Sequence, residues 1–104
     1  MMTNELEDIL NLAKRKLAVS ILRALRDQPM RYSKLHHAVS QASSRTVHAR
    51  TLTDTLNYLR DTGLVDHVQN ESGANYQLTR GGLELVDLLA EIERWAKQHR
   101  TSGQ

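Results

Sequence analysis

The chain has 104 residues, 39% hydrophobic and 25% charged, which suits one folded domain with a single core rather than a disordered segment. Phe is absent and aromatics reach only 4%, so the core is expected from Leu, Ile, Val and Ala, and the fold is expected to be mainly helical. The 14 Lys and Arg exceed the 12 acids by too little to establish a nucleic-acid partner, and the lack of any cysteine excludes disulfides, thiolate catalysis, thiol redox sensing and Cys-ligated zinc.

In chain order, Asn4 is placed to cap a helix, with Glu7 three residues on and Glu5 and Asp8 suited to its positive end. Leu6, Ile9, Leu10 and Ala13 form a helical stripe that resumes with Leu17, Ile21, Leu22 and Leu25 until Pro29 stops it. The run Lys14-Arg15-Lys16 fits a bend or the interior of one long helix equally well. Met30-Arg31-Tyr32 fits a brief strand. Ser33 is expected to cap a short helix with Leu35, Ala38 and Val39 inward, and Ser40 to Ser44 reads as a turn. A second helix is expected over about 46–62, with Leu52, Leu56 and Leu59 inward and Gly63 as the left-handed terminator.

The period then changes. Leu64, Val65 and Val68 lead to the turn formers Asn70-Glu71-Ser72-Gly73, and residues 74–78 lead away, which predicts a hairpin. Thr79 is expected to cap a last helix to about His99, with Leu85, Leu88, Leu89, Ile92, Trp95 and Ala96 on one side and Leu83 and Val86 flanking. Residues 100–104 read as a frayed tail. Two helices joined by a polar turn and followed by a hairpin make the winged helix–turn–helix arrangement. The expected fold is therefore mainly α with a small β-hairpin, one domain over 1–104. Its helix–turn–helix spans about 33–62, its wing about 64–78, and its terminal helices about 4–13 and 80–99.

Charge placement says more than the total. Between Gln28 and Arg60 the bases are Arg31, Lys34, Arg45, Arg50 and Arg60, with His36, His37 and His48 among them and Asp54 as the only acid. Such concentration suits a phosphate-facing surface. The polar, acidic first residues give no secretory leader, and no apolar run approaches the ~20 residues needed to cross a bilayer. A soluble, cytoplasmic protein without a membrane partner is the expectation.

Several segments resemble HxlR-type winged-helix regulators, within the wider MarR-like and ArsR-like superfamily. Ile21-Leu22-Arg23-Ala24-Leu25 with Pro29 to Leu35 is similar to the family's ILxAL…PxRFSEL opening. Thr51-Leu52-Thr53 through Leu56, Leu59 and Gly63-Leu64-Val65 resembles its LTxxLxxLxxxGLV helix and exit, and Tyr76 to Gly82 resembles its YxLTxxG. The resemblance spans roughly Leu17 to Trp95. It implies a DNA-binding transcription factor that dimerises through its terminal helices. Three departures stand out: the family's frequent N-terminal cysteine is missing, the 41–46 turn is longer, and the wing tip from Asn70 to Asn75 carries no Lys or Arg.

In such a fold the second helix of the pair reads base edges, mainly with its N-terminal half. With three leucines inward, Arg50, Thr51, Asp54, Thr55 and Tyr58 are left outside. Arg50 suits guanine, and the threonines suit a thymine methyl or a phosphate. Asp54 suits cytosine or orients Arg50. Arg45 and His48 are candidates for phosphate contact, as are Ser33 and Lys34 at the preceding helix start and Asn75 on the wing. Each has a plainer alternative as a solvated polar residue or cap. Tyr32 reads as packing. His36 and His37 diverge by about a hundred degrees on a helix, with no acidic partner nearby, which argues against a metal site.

The terminal stripes exceed one packing face, so Leu6, Ile9, Leu10, Leu85, Leu88, Leu89, Ile92 and Trp95 are expected in a homodimer interface. An effector pocket beside Trp95 is a lesser alternative, its small molecule unidentified. No cofactor is implied. The leading function is a DNA-binding regulator, with repression of an inverted-repeat operator; the alternative is a protein-interaction adaptor without DNA. An enzyme has no support, because no nucleophile–base pair, glycine-rich phosphate loop, metal-ligand spacing or coupled carboxylate pair occurs.

Overall fold

In the computed structural model, which describes residues 4–71 and 73–100, the elements follow the winged-helix order. They are α1 (Glu5–Ala13), α2 (Lys16–Leu25), α3 (Tyr32–Ala42), α4 (Ala49–Asp61), β1 (Val65–Asn70), β2 (Gly73–Leu78) and α5 (Arg80–Arg100). Ser72 of the expected wing turn and the tail expected at 101–104 lie outside the described residues, while Arg100 still belongs to α5. No helix among the described residues is long and apolar enough to cross a membrane.

The Asn4 side chain accepts from the Glu7 amide at 2.7 Å, as the capping pattern requires. The basic run marks a bend: Ala13 ends α1, and Arg15 turns extended (φ −86°, ψ 96°) before Lys16 starts α2. Because the helix restarts, its apolar stripe restarts too. Leu12, outside the expected stripe, is the buried residue of α1, whereas Leu6, Ile9 and Leu10 face solvent.

Helix α2 is the hub, packing against α1, α3, α4, α5 and β2. Its Ala18, Ile21, Leu22 and Leu25 join Leu35 and Val39 of α3, Leu52, Leu56 and Leu59 of α4, Val65 and Val86 in one core. No polar or charged side chain is buried among them. Truncating one of these leucines to Ala costs about 2–5 kcal/mol.

Two expectations around the helix–turn–helix change. Ser33 is not the cap of α3: Arg31 is, and the Leu35 amide bonds the Arg31 carbonyl at 2.9 Å. The helix starts early because Met30 pairs with Tyr76 of β2 in a single bridge, which leaves the chain free to turn at once. That bridge is all that forms of the brief strand expected at 30–32. The turn also shifts. Helix α3 runs through Ser40 to Ala42, and α4 begins only at Ala49, three residues past the expected start.

Val47 explains the late start. Its amide donates to Ser40 Oγ at 3.0 Å, and its carbonyl accepts from His36 Nε2 at 2.6 Å. With both backbone groups bound to α3 side chains, Val47 cannot join the ladder of α4, whose first bond is from the Leu52 amide to the His48 carbonyl at 3.0 Å. His36 is thus a brace of the turn.

Gly63 ends α4 with φ +80°, and the bonds from Leu64 to Leu59 (3.0 Å) and Gly63 to Arg60 (3.1 Å) form the expected left-handed terminator. The hairpin pairs Val65 with Leu78 through to Asn70 with Gly73. Thr79 Oγ1 then accepts from the Gly82 amide at 3.0 Å and donates to the Gly63 carbonyl at 2.7 Å, joining the start of α5 to the end of α4.

Candidate nucleic-acid interface

Helix α4 buries Leu52, Leu56 and Leu59, so at about a hundred degrees per residue its opposite face carries Arg50, Asp54, Asn57 and Asp61. All four are exposed, as is Thr51. Thr55 is half-buried, and its hydroxyl donates to the Thr51 carbonyl at 2.8 Å. Asn57 was absent from the sequence reading, although its spacing of seven from Arg50 was the signal that places both on one face.

Tyr58 does not belong to that exposed face. Its ring is half-buried under the Arg15 guanidinium, 4.1 Å from the ring centre. It lines a cleft of about 760 Å³ with Leu12, Thr62, Leu64 and Leu85. The bend at residues 14–16 brings Arg15 across α4, a contact that local periodicity does not contain.

Helix starts divide into two kinds. Those of α1 and α5 are capped by Asn4 and Thr79. Helices α2, α3 and α4 have no side-chain cap bond and no acid in the first turn. They carry bases instead: Arg15 and Lys16, Arg31 and Lys34, His48 and Arg50. A cation at the positive end of a helix costs stability, about 0.3–1 kcal/mol at the surface, whereas the same end attracts phosphate.

The three starts converge. The Tyr32 hydroxyl of α3 donates to the Ala49 carbonyl at 3.1 Å, in the first turn of α4. Lys16 of α2 shares a second cleft with Arg45, His48 and Thr51. Ser33 and Lys34 are exposed beside Tyr32. The structure therefore brings Ser33, Lys34, Arg45, His48, Arg50 and Thr51 around one helix start and adds Lys16, which the sequence reading passed over as part of a bend.

Bridging of Met30 to Tyr76 ties the wing to this assembly, with amide-to-carbonyl bonds of 3.0 and 2.8 Å. Tyr76 in turn stacks on His67 at 4.2 Å between ring centres. Asn75 is half-buried opposite Val68, away from the α4 start.

On the far side, α5 lies on the core through Gly82 and Val86, the two buried residues of this helix. A Cβ on Gly82 would run into the Leu64 carbonyl, so only glycine permits this approach. Ion pairs from Arg26 to Asp87, at 2.7 Å, and from Arg23 to Glu93 hold α5 against α2. Val86, read as a flank, is core, and the opposite face carries the stripe. Leu88, Ile92 and Trp95 are 54%, 55% and 61% exposed, and Leu6 of α1 is 66% exposed. Leu85 and Leu89 are half-buried.

Residues 12–104 match the family model described as HxlR-like helix-turn-helix. No curated protein matches the sequence. Among solved structures, the transcriptional repressor BigR from Xylella fastidiosa is similar at 22% identity and TM-score 0.72, over 92% of this chain and 88% of that one. Diamide-treated YodB from B. subtilis matches at 22% identity and TM-score 0.71, over 95% and 96% of the two chains. TubR of Bacillus thuringiensis, bound to 24 bp of tubC, matches at 18% identity and TM-score 0.65, over 88% and 98%. These likenesses show the winged-helix fold.

Proposed function

The chain belongs to the HxlR-like helix–turn–helix family of DNA-binding transcription regulators, and from that premise we propose that it is a homodimeric repressor that reads an inverted-repeat operator. The observation that carries the reading is the convergence of three uncapped, base-bearing helix starts on the first turn of α4. Three positive ends and their cations create a strongly anion-attracting surface around a helix narrow enough for the major groove. Arg50 is positioned to read guanine, with Thr51 and Asp54 beside it. Lys34, Arg45 and His48 approach the backbone. A BigR repressor and a DNA-bound TubR with the same fold support the reading.

The dimer follows from the apolar face of α1 and α5. Leu6, Ile9, Leu10, Leu88, Ile92 and Trp95 all lie exposed in the protomer, and a second copy covers such a face with the same face. The protein works in the cytoplasm, beside the DNA it controls. If a small-molecule effector acts on it, the cleft that contains Tyr58 is its site, because Tyr58 belongs to the reading helix. Asp54 and Asp61 on the exposed face of α4 favour a second reading, an adaptor that binds protein instead of DNA. Titrating a mixed-sequence duplex at rising salt separates the two. The regulator loses affinity steeply, while the adaptor has none to lose.

A further inference from the structure

The flanks of the reading helix differ in charge. On the α2 side, a cleft of about 760 Å³ is lined by Lys16 and Ser20, by Ser43, Arg45 and Thr46 of the turn, and by His48 and Thr51. Three cationic or protonatable side chains and four hydroxyls face it, and no carboxylate does. None of Lys16, Arg45 and His48 is in an ion pair among the described residues. On the wing side, the cleft of about 570 Å³ has the carboxylates of Asp61 and Asp66 in its lining, with Arg60 and His67. The wing tip itself carries Glu71 and no base.

We infer that the DNA backbone is gripped on the α2 side alone, by Lys16 and Arg45 with His48, and that the wing takes no part in binding. The inference rests on the DNA-binding reading and says where its phosphates lie. Lys16 is the new element. As the first residue of α2 it opposes that helix's own dipole, so its charge does not serve the helix. The ligand this cleft fits is a run of phosphodiesters on one strand. Cations and hydroxyl donors suit phosphate oxygens, and the open trough admits a continuous chain. Across α4, the same backbone would meet Asp61 and Asp66.

The test measures affinity against salt for the intact protein, on a fragment selected from random DNA and on a mixed-sequence duplex. It compares wild type with Lys16→Gln/Arg45→Gln, with each single change, and with Asn75→Ala. The replaced side chains of Lys16 and Arg45 are exposed, and an unchanged melting curve verifies the fold. Each lost phosphate contact lowers the salt slope by about 0.9, so the double variant is expected to lower it by about 1.8. Its affinity falls by the same factor on both duplexes, and Asn75→Ala binds as wild type does. An unchanged slope in the double variant, or weaker binding by Asn75→Ala, overturns the inference and leaves the DNA reading standing. Wild type that binds neither duplex overturns both.

Discussion

The Tyr32 hydroxyl donates to the Ala49 carbonyl at 3.1 Å and lies 3.3 Å from the Thr53 hydroxyl, so one side chain of α3 spans the first turn of α4. Two residues before it, Met30 pairs with Tyr76 of the wing. The start of the reading helix is thereby tied through one short segment to the hairpin. Tyr32→Phe keeps the ring, which stacks on His36, and removes the hydroxyl. A loss of about 0.5–1.5 kcal/mol in chemical denaturation is expected. Weaker binding to the selected DNA should accompany it, although Tyr32 itself reads no base. Unchanged denaturation and binding would make the hydroxyl a bystander.

Arg50 tests the reading face. Arg50→Ala should weaken binding to the selected fragment by about 1–3 kcal/mol and change binding to mixed-sequence DNA far less. Lys34→Ala should lower both together. Equal losses from Arg50→Ala on the two duplexes would move it from base reading to backbone contact.

Two adjacent glycines make a paired stability test. Gly82→Ala drives a methyl group against the Leu64 carbonyl; lifting α5 off the core should cost about 1–3 kcal/mol. At Gly81 the nearest atom to an added Cβ is Thr79 Oγ1 at 3.8 Å, so Gly81→Ala should be neutral or stabilising by up to about 1 kcal/mol. Thermal denaturation of both variants checks the contrast, and equal melting temperatures would refute the close approach of α5 to Leu64.

The exposed stripe on α5 is tested by charge. Ile92 is 55% exposed, so Ile92→Glu should leave the protomer folded. In a dimer it would place a carboxylate in an apolar interface, and sedimentation should then show the mass halved. Affinity for a two-half-site duplex should fall as well. A dimer of undiminished stability would put its interface elsewhere.

The order of the elements was legible in the sequence because it rests on local signals. Asn4, Thr79 and Gly63 do their expected work at helix ends, and the leucines of α4 lie where the 3.6-residue period puts them. What the sequence did not reveal depends on distant contacts. Ser33 has the chemistry of a cap, but the bridge from Met30 to Tyr76 sets the start of α3 two residues earlier. The turn appeared to end at Thr46 because nothing local shows that Ser40 and His36 hold Val47. Tyr58 belonged to the reading face by spacing alone, until the bend in the basic run laid Arg15 over it. Lys16 reached the site by the same bend.

Selection of bound fragments from a random DNA pool tests the central claim most directly. The account predicts enrichment of an inverted repeat whose half-site centres lie about 34 Å apart, one helical turn, as two recognition helices related by a two-fold axis require. No enriched sequence, together with no salt-dependent retention of DNA, would contradict it and leave the adaptor as the function of this winged helix.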